Sequence, residues 1–265
     1  MRYCVLGSGS NGNCCVVKHE SAVILVDAGL GPLVLKKRLS SMGIALQEIT
    51  HVLLTHEHWD HTRGLRGLCK RSPGIVVAGT RGTLSRLDLE IEAERAALNP
   101  KQAYDINGIT VHSFPTSHDS AASLGFRIES PGGVLGVATD LGTYDDSVVE
   151  ALKGANGLVL EANHCSAMLD MGPYPAFLKR RVAGKTGHLS NAQCRSLLER
   201  ILPSNPAVSV TFAHISAVNN AAHNIWKTLS PLFPGAKKPA NWNLGDRKKA
   251  LAPVDCTTQL SFKGF

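Results

Sequence analysis

The sequence is poor in aromatic residues, has no CxxC pair and contains no long apolar run. Phe, Tyr and Trp together make up 5% of its 265 residues, so platforms on which exposed bases could stack are scarce. Its longest apolar stretches, such as 22–26 and 52–54, fall far short of the roughly 18 residues that span a bilayer. The opening MRYCVLGSGSNG turns to Gly and Ser after four apolar-leaning positions, which leaves no apolar stretch for a signal peptide. These absences argue against secretion and membrane insertion and point to the cytoplasm. The seven cysteines are odd in number and, apart from Cys14-Cys15, scattered. They read as reduced thiols, not as a disulfide framework or a sulfur-ligated zinc site.

What is present suits a folded domain. Hydrophobic residues make up 43% of the chain, enough for a sizeable core. Lys and Arg outnumber Asp and Glu by 28 to 21, a formal net charge of +7 that favours polyanionic partners. Basic clusters at Lys36-Lys37-Arg38, Arg63/Arg66/Lys70/Arg71, Lys179-Arg180-Arg181 and Arg247-Lys248-Lys249 are able to follow a phosphate backbone. Each is also the composition of an ordinary solvated helix face. No repeat or low-complexity block interrupts the chain.

Short apolar runs bounded by turn residues predict strands at 2–6, 14–18, 22–26, 51–55, 75–78, 109–114, 124–129, 133–139, 157–161 and 207–213. Helical spacing predicts helices at 31–42, 61–71, 80–87, 144–152, 190–201 and 219–229. Strands run consecutively at first and alternate with helices later, which predicts sheets layered under helices, an α+β-like arrangement of an α/β chain. No linker divides the chain before about residue 232, so 1–232 is expected as one domain. Residues 233–265 read as a basic, turn-rich C-terminal extension, with a possible last strand at 257–262.

The strongest chemical signal is His56-Glu57-His58-Trp59-Asp60-His61, directly after an apolar strand. Three imidazoles and a carboxylate within six residues form a dense nitrogen and oxygen ligand set for a divalent ion. The order is not HExxH, because the fourth residue after His56 is Asp60, so the helical metalloprotease reading fails. His118, Asp140 and His214 also follow predicted strands. Each is a ligand candidate or, equally, a turn or cap residue. Gly7-Ser8-Gly9-Ser10-Asn11-Gly12 satisfies GxGxxG, yet a strand and not a helix follows, which excludes a dinucleotide fold. That loop is a hairpin turn, or a nest of backbone N–H groups facing phosphate, with Ser10 and Asn11 as its contacts.

Val26-Asp27-Ala28-Gly29, Thr55-His56-Glu57-His58-Trp59-Asp60-His61, Ser117-His118-Asp119 and Thr139-Asp140 resemble the successive motifs of the metallo-β-lactamase superfamily. Ser8–Asn13, Leu160-Glu161-Ala162-Asn163-His164, Met171–Pro175, Gly187-His188-Leu189-Ser190-Asn191 and Ala213-His214-Ile215-Ser216 are similar to its WalJ/YycJ-type branch. The resemblance spans about residues 2–230. It implies an αββα sandwich with the active site on one edge, and two divalent metal ions, zinc or manganese with iron also admissible. His56, His58 and His118 would hold one ion, and Asp60, His61 and His214 the other. Asp140 would bridge them, and Asp27 would brace the loop.

Two ions about 3.5–4 Å apart share a hydroxide and clamp the attacking and leaving oxygens of a phosphodiester. Asp60 would take part in that chemistry, and His188 would protonate the leaving oxygen while Glu161 holds its other nitrogen. His164, Ser10, Asn11, Lys179 and Arg180 are candidate substrate contacts. The expected activity is hydrolysis of nucleic acid, as an exodeoxyribonuclease acting on DNA. A hydrolase of a small phosphodiester, lactone or thioester uses the same HxHxDH motif and is the alternative. A fold retained only for binding or regulation is disfavoured, because all seven expected ligand positions carry ligating residue types.

Overall fold

The apolar strands bury both faces, and their alternation decides the layering. In β3 (Ala22–Val26) every residue is buried. Ala22, Ile24 and Val26 point into one core cluster, while Val23 and Leu25 point into another. Such a strand must be covered on both sides. The first cluster lies between two sheets, and the second lies between a sheet and helices. The computed structural model of the protein describes residues 1–256 other than 89, 101 and 236.

The first sheet contains β1 (Arg2–Gly7), β2 (Cys14–His19), β3, β4 (His51–Leu53), β5 (Val76–Gly79) and β6 (Glu94–Ala97) in that spatial order. The second runs in reverse chain order from β13 (Trp242–Leu244) and β12 (Ser209–Ala213) through β11 (Gly157–Glu161) and β10 (Gly133–Ala138). It continues with β9 (Leu124–Ser130) and β8 (Ile109–Pro115) to β7 (Ala103–Ile106). β14 (Val254–Asp255) extends the first sheet beside β1. Each sheet is antiparallel in one part and parallel in the other. β3, β4, β5 and β6 are parallel neighbours, as are β10, β11, β12 and β13.

Tyr3, Val5, Ile24, Leu53, Phe126, Val137 and Val159 meet between the sheets. Helices cover the outer faces. α1 (Pro32–Ser40), α3 (Leu65–Arg71) and α4 (Arg81–Ser85) press Leu35, Leu39, Leu65, Leu68 and Leu84 onto the first sheet. α5 (Asp146–Leu152), α8 (Asn191–Ile201) and α9 (Ala222–Leu229) press Val149, Leu152, Leu198 and Leu229 onto the second. Each such side chain contributes about 1.5–3 kcal/mol relative to exposure. The result is the αββα sandwich expected from the sequence.

The structure corrects several boundaries. The helix expected at 61–71 is two pieces, α2 (Trp59–Thr62) and α3. The break is at Gly64, whose amide donates to Ala28 O at 2.8 Å and whose Cα lies against Leu30 O where no Cβ fits. The helix expected from 219 starts at Ala222, because the Ser216 hydroxyl accepts from Asn219 N and holds a turn. α6 (Ser166–Met171) and α7 (Ala176–Ala183), together with β6 and β7, are additional elements. The stretch after 232 supplies a strand to each sheet: Trp242 is buried against Phe212, and Leu251 N donates to Val5 O. The strand expected at 257–262 lies outside the described residues. No helix among the described residues is long and apolar enough to cross a membrane.

Candidate metal centre

The parallel strands end on one edge of the sandwich, and the chain turns sharply there. Asp27 follows β3, Asp140 follows β10 and His214 follows β12, all with left-handed backbone at φ 62, 55 and 52°. Asp tolerates that region better than most residues, but a His there carries strain, which is held only where surrounding contacts fix it. At His214 those contacts are its own N–H on Ser8 Oγ (2.7 Å) and its carbonyl accepting from Asn163 Nδ2 (2.7 Å).

Asp27 ties the histidine-rich loop to the strand ends. It accepts from Thr55 N at 2.8 Å and from the Thr55 hydroxyl, and meets His61 Nδ1 at 2.7 Å. Asn13 N donates to Asp60 O, and Ala28 N to His61 O. Gly29 is required because its Cα abuts Asp60 O. Asp27-Ala28-Gly29 is therefore a clamp that aims the loop. Asp27→Asn is expected to lower divalent-metal affinity about 10–100-fold, as for other carboxylates that orient a ligating imidazole. Competition with a chromogenic chelator measures it, and affinity within a factor of two of the parent would remove Asp27 from this role.

The residues picked from the sequence converge on this edge. Ligand atoms of His56, His58 and His118 lie within 4.8 Å of one another, as do those of Asp60, His61 and His214 and those of His56, His61 and Asp140. His58 Nδ1 and His118 Nε2 are 3.3 Å apart. Asp60 Oδ2 is 3.6 Å from His61 Nε2 and 3.4 Å from His214 Nε2. Asp140 stands between the sets, with Oδ2 3.3 Å from His61 Nε2 and Oδ1 3.8 Å from His118 Nε2.

Two atoms test whether this set suits cations. His56 Nε2 and Asp140 Oδ2 are buried without a hydrogen-bond partner among the described residues. Orphaned buried acceptors are costly, and a pair of them amid imidazoles and carboxylates is what divalent ions would satisfy. The donor set therefore fits metal ions.

The electrostatics divide the centre in two. Burial, reinforced by the surrounding histidines, pushes His56 well below the ordinary imidazole range. Burial also lowers His118, against the pull of Asp140. A lowered imidazole favours the neutral form that ligates a cation. His61 and His214 are buried too, but carboxylates overcome it. Asp27 and Asp140 raise His61 to about 9, and Asp140, with Asp60 and Glu161, raises His214 well above its usual value. Burial works to raise Asp60, yet the His214 hydrogen bond and the His61 charge hold it well below the carboxylate range.

Glu161 ends β11 and is wholly buried. Burial opposes its charge, but His188 and His214 hold it ionised. It accepts from Leu141 N and Leu189 N, meets His214 Nδ1 at 3.0 Å and meets His188 Nδ1 at 2.8 Å. His188 is partly exposed beside the ligand sets, its ring 5.1 Å from His118 and 4.9 Å from His214. His164 is buried, with Nδ1 unpartnered among the described residues and burial lowering it to about 4.

The other expected contacts divide. Ser10 lines a cavity shared with His188 and His214, whereas Asn11 lies exposed in its turn. Lys179 and Arg180 lie on α7, where Lys179 Nζ donates to Asp170 O and Arg180 is exposed. They are not among the residues that line the cavity. Sequence reasoning missed Asn13, whose Nδ2 reaches Asp60 and His61, and Asn163, whose signal was its place beside Glu161. It also read Arg247 only as part of a basic run, although Arg247 lines that cavity.

The family model for the "Beta-lactamase superfamily domain" matches residues 23–215. An exodeoxyribonuclease YycJ of Bacillus anthracis is 30% identical over 224 residues, 83% of this chain and 84% of the relative. A ribonuclease Z of Bradyrhizobium diazoefficiens is 26% identical over 235 residues, 78% and 77% of the two chains. Among solved structures, the metallo-β-lactamase-fold protein YhfI of Bacillus subtilis superposes with a TM-score of 0.71 at 18% identity, covering 95% of this chain and 99% of that one. The fold implies divalent metal ions. The chain belongs to the metallo-β-lactamase superfamily, and it is a hydrolase of that fold.

Proposed function

We propose that the protein is a dinuclear metal-dependent phosphodiesterase that degrades nucleic acid, as an exodeoxyribonuclease. The observation that carries this reading is the His188–Glu161 pair beside the two ligand sets. His56, His58 and His118 would hold one ion, Asp60, His61 and His214 would hold the other, and Asp140, placed between the sets, would serve both. When bound, two divalent ions stabilise charge on the phosphoryl oxygens and provide a nucleophile at neutral pH.

The chain's own residues do the rest. Glu161 accepts from Nδ1–H of His188 and stabilises the imidazolium, in which Nε2 also carries a proton. A proton on Nε2 is then delivered to the departing sugar oxygen, which leaves poorly as an alkoxide. The same pair serves little purpose for a thioester, whose thiolate departs without help, and this favours the phosphodiester over the thioester reading. The choice of DNA is supported by similarity to the exodeoxyribonuclease and by the net charge of +7.

The direct check is an assay of the metal-loaded protein on 5′- and 3′-labelled single- and double-stranded DNA and RNA, with His61→Ala as blank. Stepwise shortening of DNA from one end, lost in the blank, is the expected result and fixes the polarity. Cleavage confined to RNA, or turnover of small esters alone, would overturn it.

A further inference from the structure

We infer that Arg247, with Ser10 and Tyr174, forms an anion subsite that holds a second phosphate beside the one being cleaved. That this phosphate belongs to a nucleic-acid strand rests on the phosphodiesterase reading above. The subsite itself rests on a cavity of about 110 Å³ that opens against His188 and His214.

The lining of that cavity is one-sided. Ser10, Tyr174, Ser216 and Asn219 contribute hydroxyl and amide groups, Arg247 contributes the one guanidinium, and no carboxylate is among the lining residues.

Arg247 is held in place before any ligand arrives. Its Nη2 donates to Ile215 O at 2.6 Å, and its carbonyl accepts from Arg38 Nη2 at 3.2 Å. Gly9, at φ 107°, lies so close that a Cβ there would sit 2.9 Å from Arg247 Nε. Gly9, the second glycine of the GxGxxG loop, thus makes room for Arg247 rather than for a dinucleotide. One of the five guanidinium donors is used by Ile215, which leaves a fork for phosphate. Being half-buried, the charge is screened less than a surface lysine would be.

Calorimetry on the metal-loaded protein tests this with three ligands: thymidine 5′-monophosphate, thymidine 3′-monophosphate and thymidine 3′,5′-bisphosphate. The parent is expected to bind the bisphosphate about 10-fold or more tighter than either monophosphate. Arg247→Gln keeps an N–H for Ile215 O but loses the charge, and Arg247→Ala loses both. Each should bind all three ligands within about threefold, with Arg247→Lys recovering part of the difference. A bisphosphate advantage that is absent from the parent, or that survives in Arg247→Gln, overturns the subsite.

A second arm uses a DNA oligonucleotide. Its affinity should fall about 10-fold in Arg247→Gln, and the slope of log affinity against log salt should shrink by about one. A protein that cleaves no nucleic acid yet shows the Arg247-dependent bisphosphate preference would refute the nuclease reading and retain the subsite. The opposite result would do the reverse.

Discussion

Asp140→Asn is expected to abolish hydrolysis to within about 10⁻³ of the parent rate or less, and to leave the protein with fewer than two tightly held ions. The substitution is chosen for its backbone. Asp140 sits at φ 55°, a region that Asn enters readily and Ala does not, so the folded chain is kept while a negative charge is removed. That charge is what both histidine sets share: its carboxylate lies 3.3 Å from His61 and 3.8 Å from His118. Loss of several kcal/mol of charge stabilisation in the transition state corresponds to about three orders of magnitude in rate. Elemental analysis after metal loading and dialysis, beside turnover of a labelled oligonucleotide, measures both. Full metal content with activity within tenfold of the parent would show that Asp140 does not bridge.

His188→Ala is expected to lower kcat by about 10²–10⁴ while metal content stays at the parent level. The distinguishing readout is the leaving group. A p-nitrophenolate departs without a proton, so a p-nitrophenyl phosphodiester should lose far less rate than an alkyl ester such as DNA. Glu161→Gln should share the leaving-group pattern, because the amide cannot hold the His188 ring as the carboxylate does at 2.8 Å. It should also lower the melting temperature, since Leu141 N, Leu189 N and His214 all lean on that buried carboxylate. Equal losses on both ester types in His188→Ala would show that His188 supports the site without donating a proton.

What was legible in the sequence was whatever is encoded over a few neighbours. Strands buried on both faces announce themselves as unbroken apolar runs, and β1, β3 and β11 were found that way. The ligand candidates were legible because they follow such runs closely: His56 opens its HxHxDH turn three residues beyond β4, His118 lies three beyond β8, Asp140 two beyond β10 and His214 one beyond β12. The Asp27-Ala28-Gly29 turn belongs here too, although its reason, a carbonyl of Asp60 pressed on Gly29, does not.

Other features depended on residues far apart in the chain. β6 and β7 were missed because one, ERAA, has no buried residue and the other, AYDI, has only one; such edge strands carry weak alternation. α6 and α7 carry only one buried residue between them, Leu169, so no apolar stripe marks them. β13 and β14 form because Trp242 finds Phe212 and Leu251 finds Val5, across gaps of 30 and 246 positions that no local pattern encodes. Arg247 enters the site by the same route, carried there by the strand before it.

The sequence alone determined the ligand-rich turns and the layered class, since period and residue type are local properties. Only the tertiary structure decided which nitrogen faces which carboxylate, and that the tail completes the cavity, because those depend on contacts between distant segments.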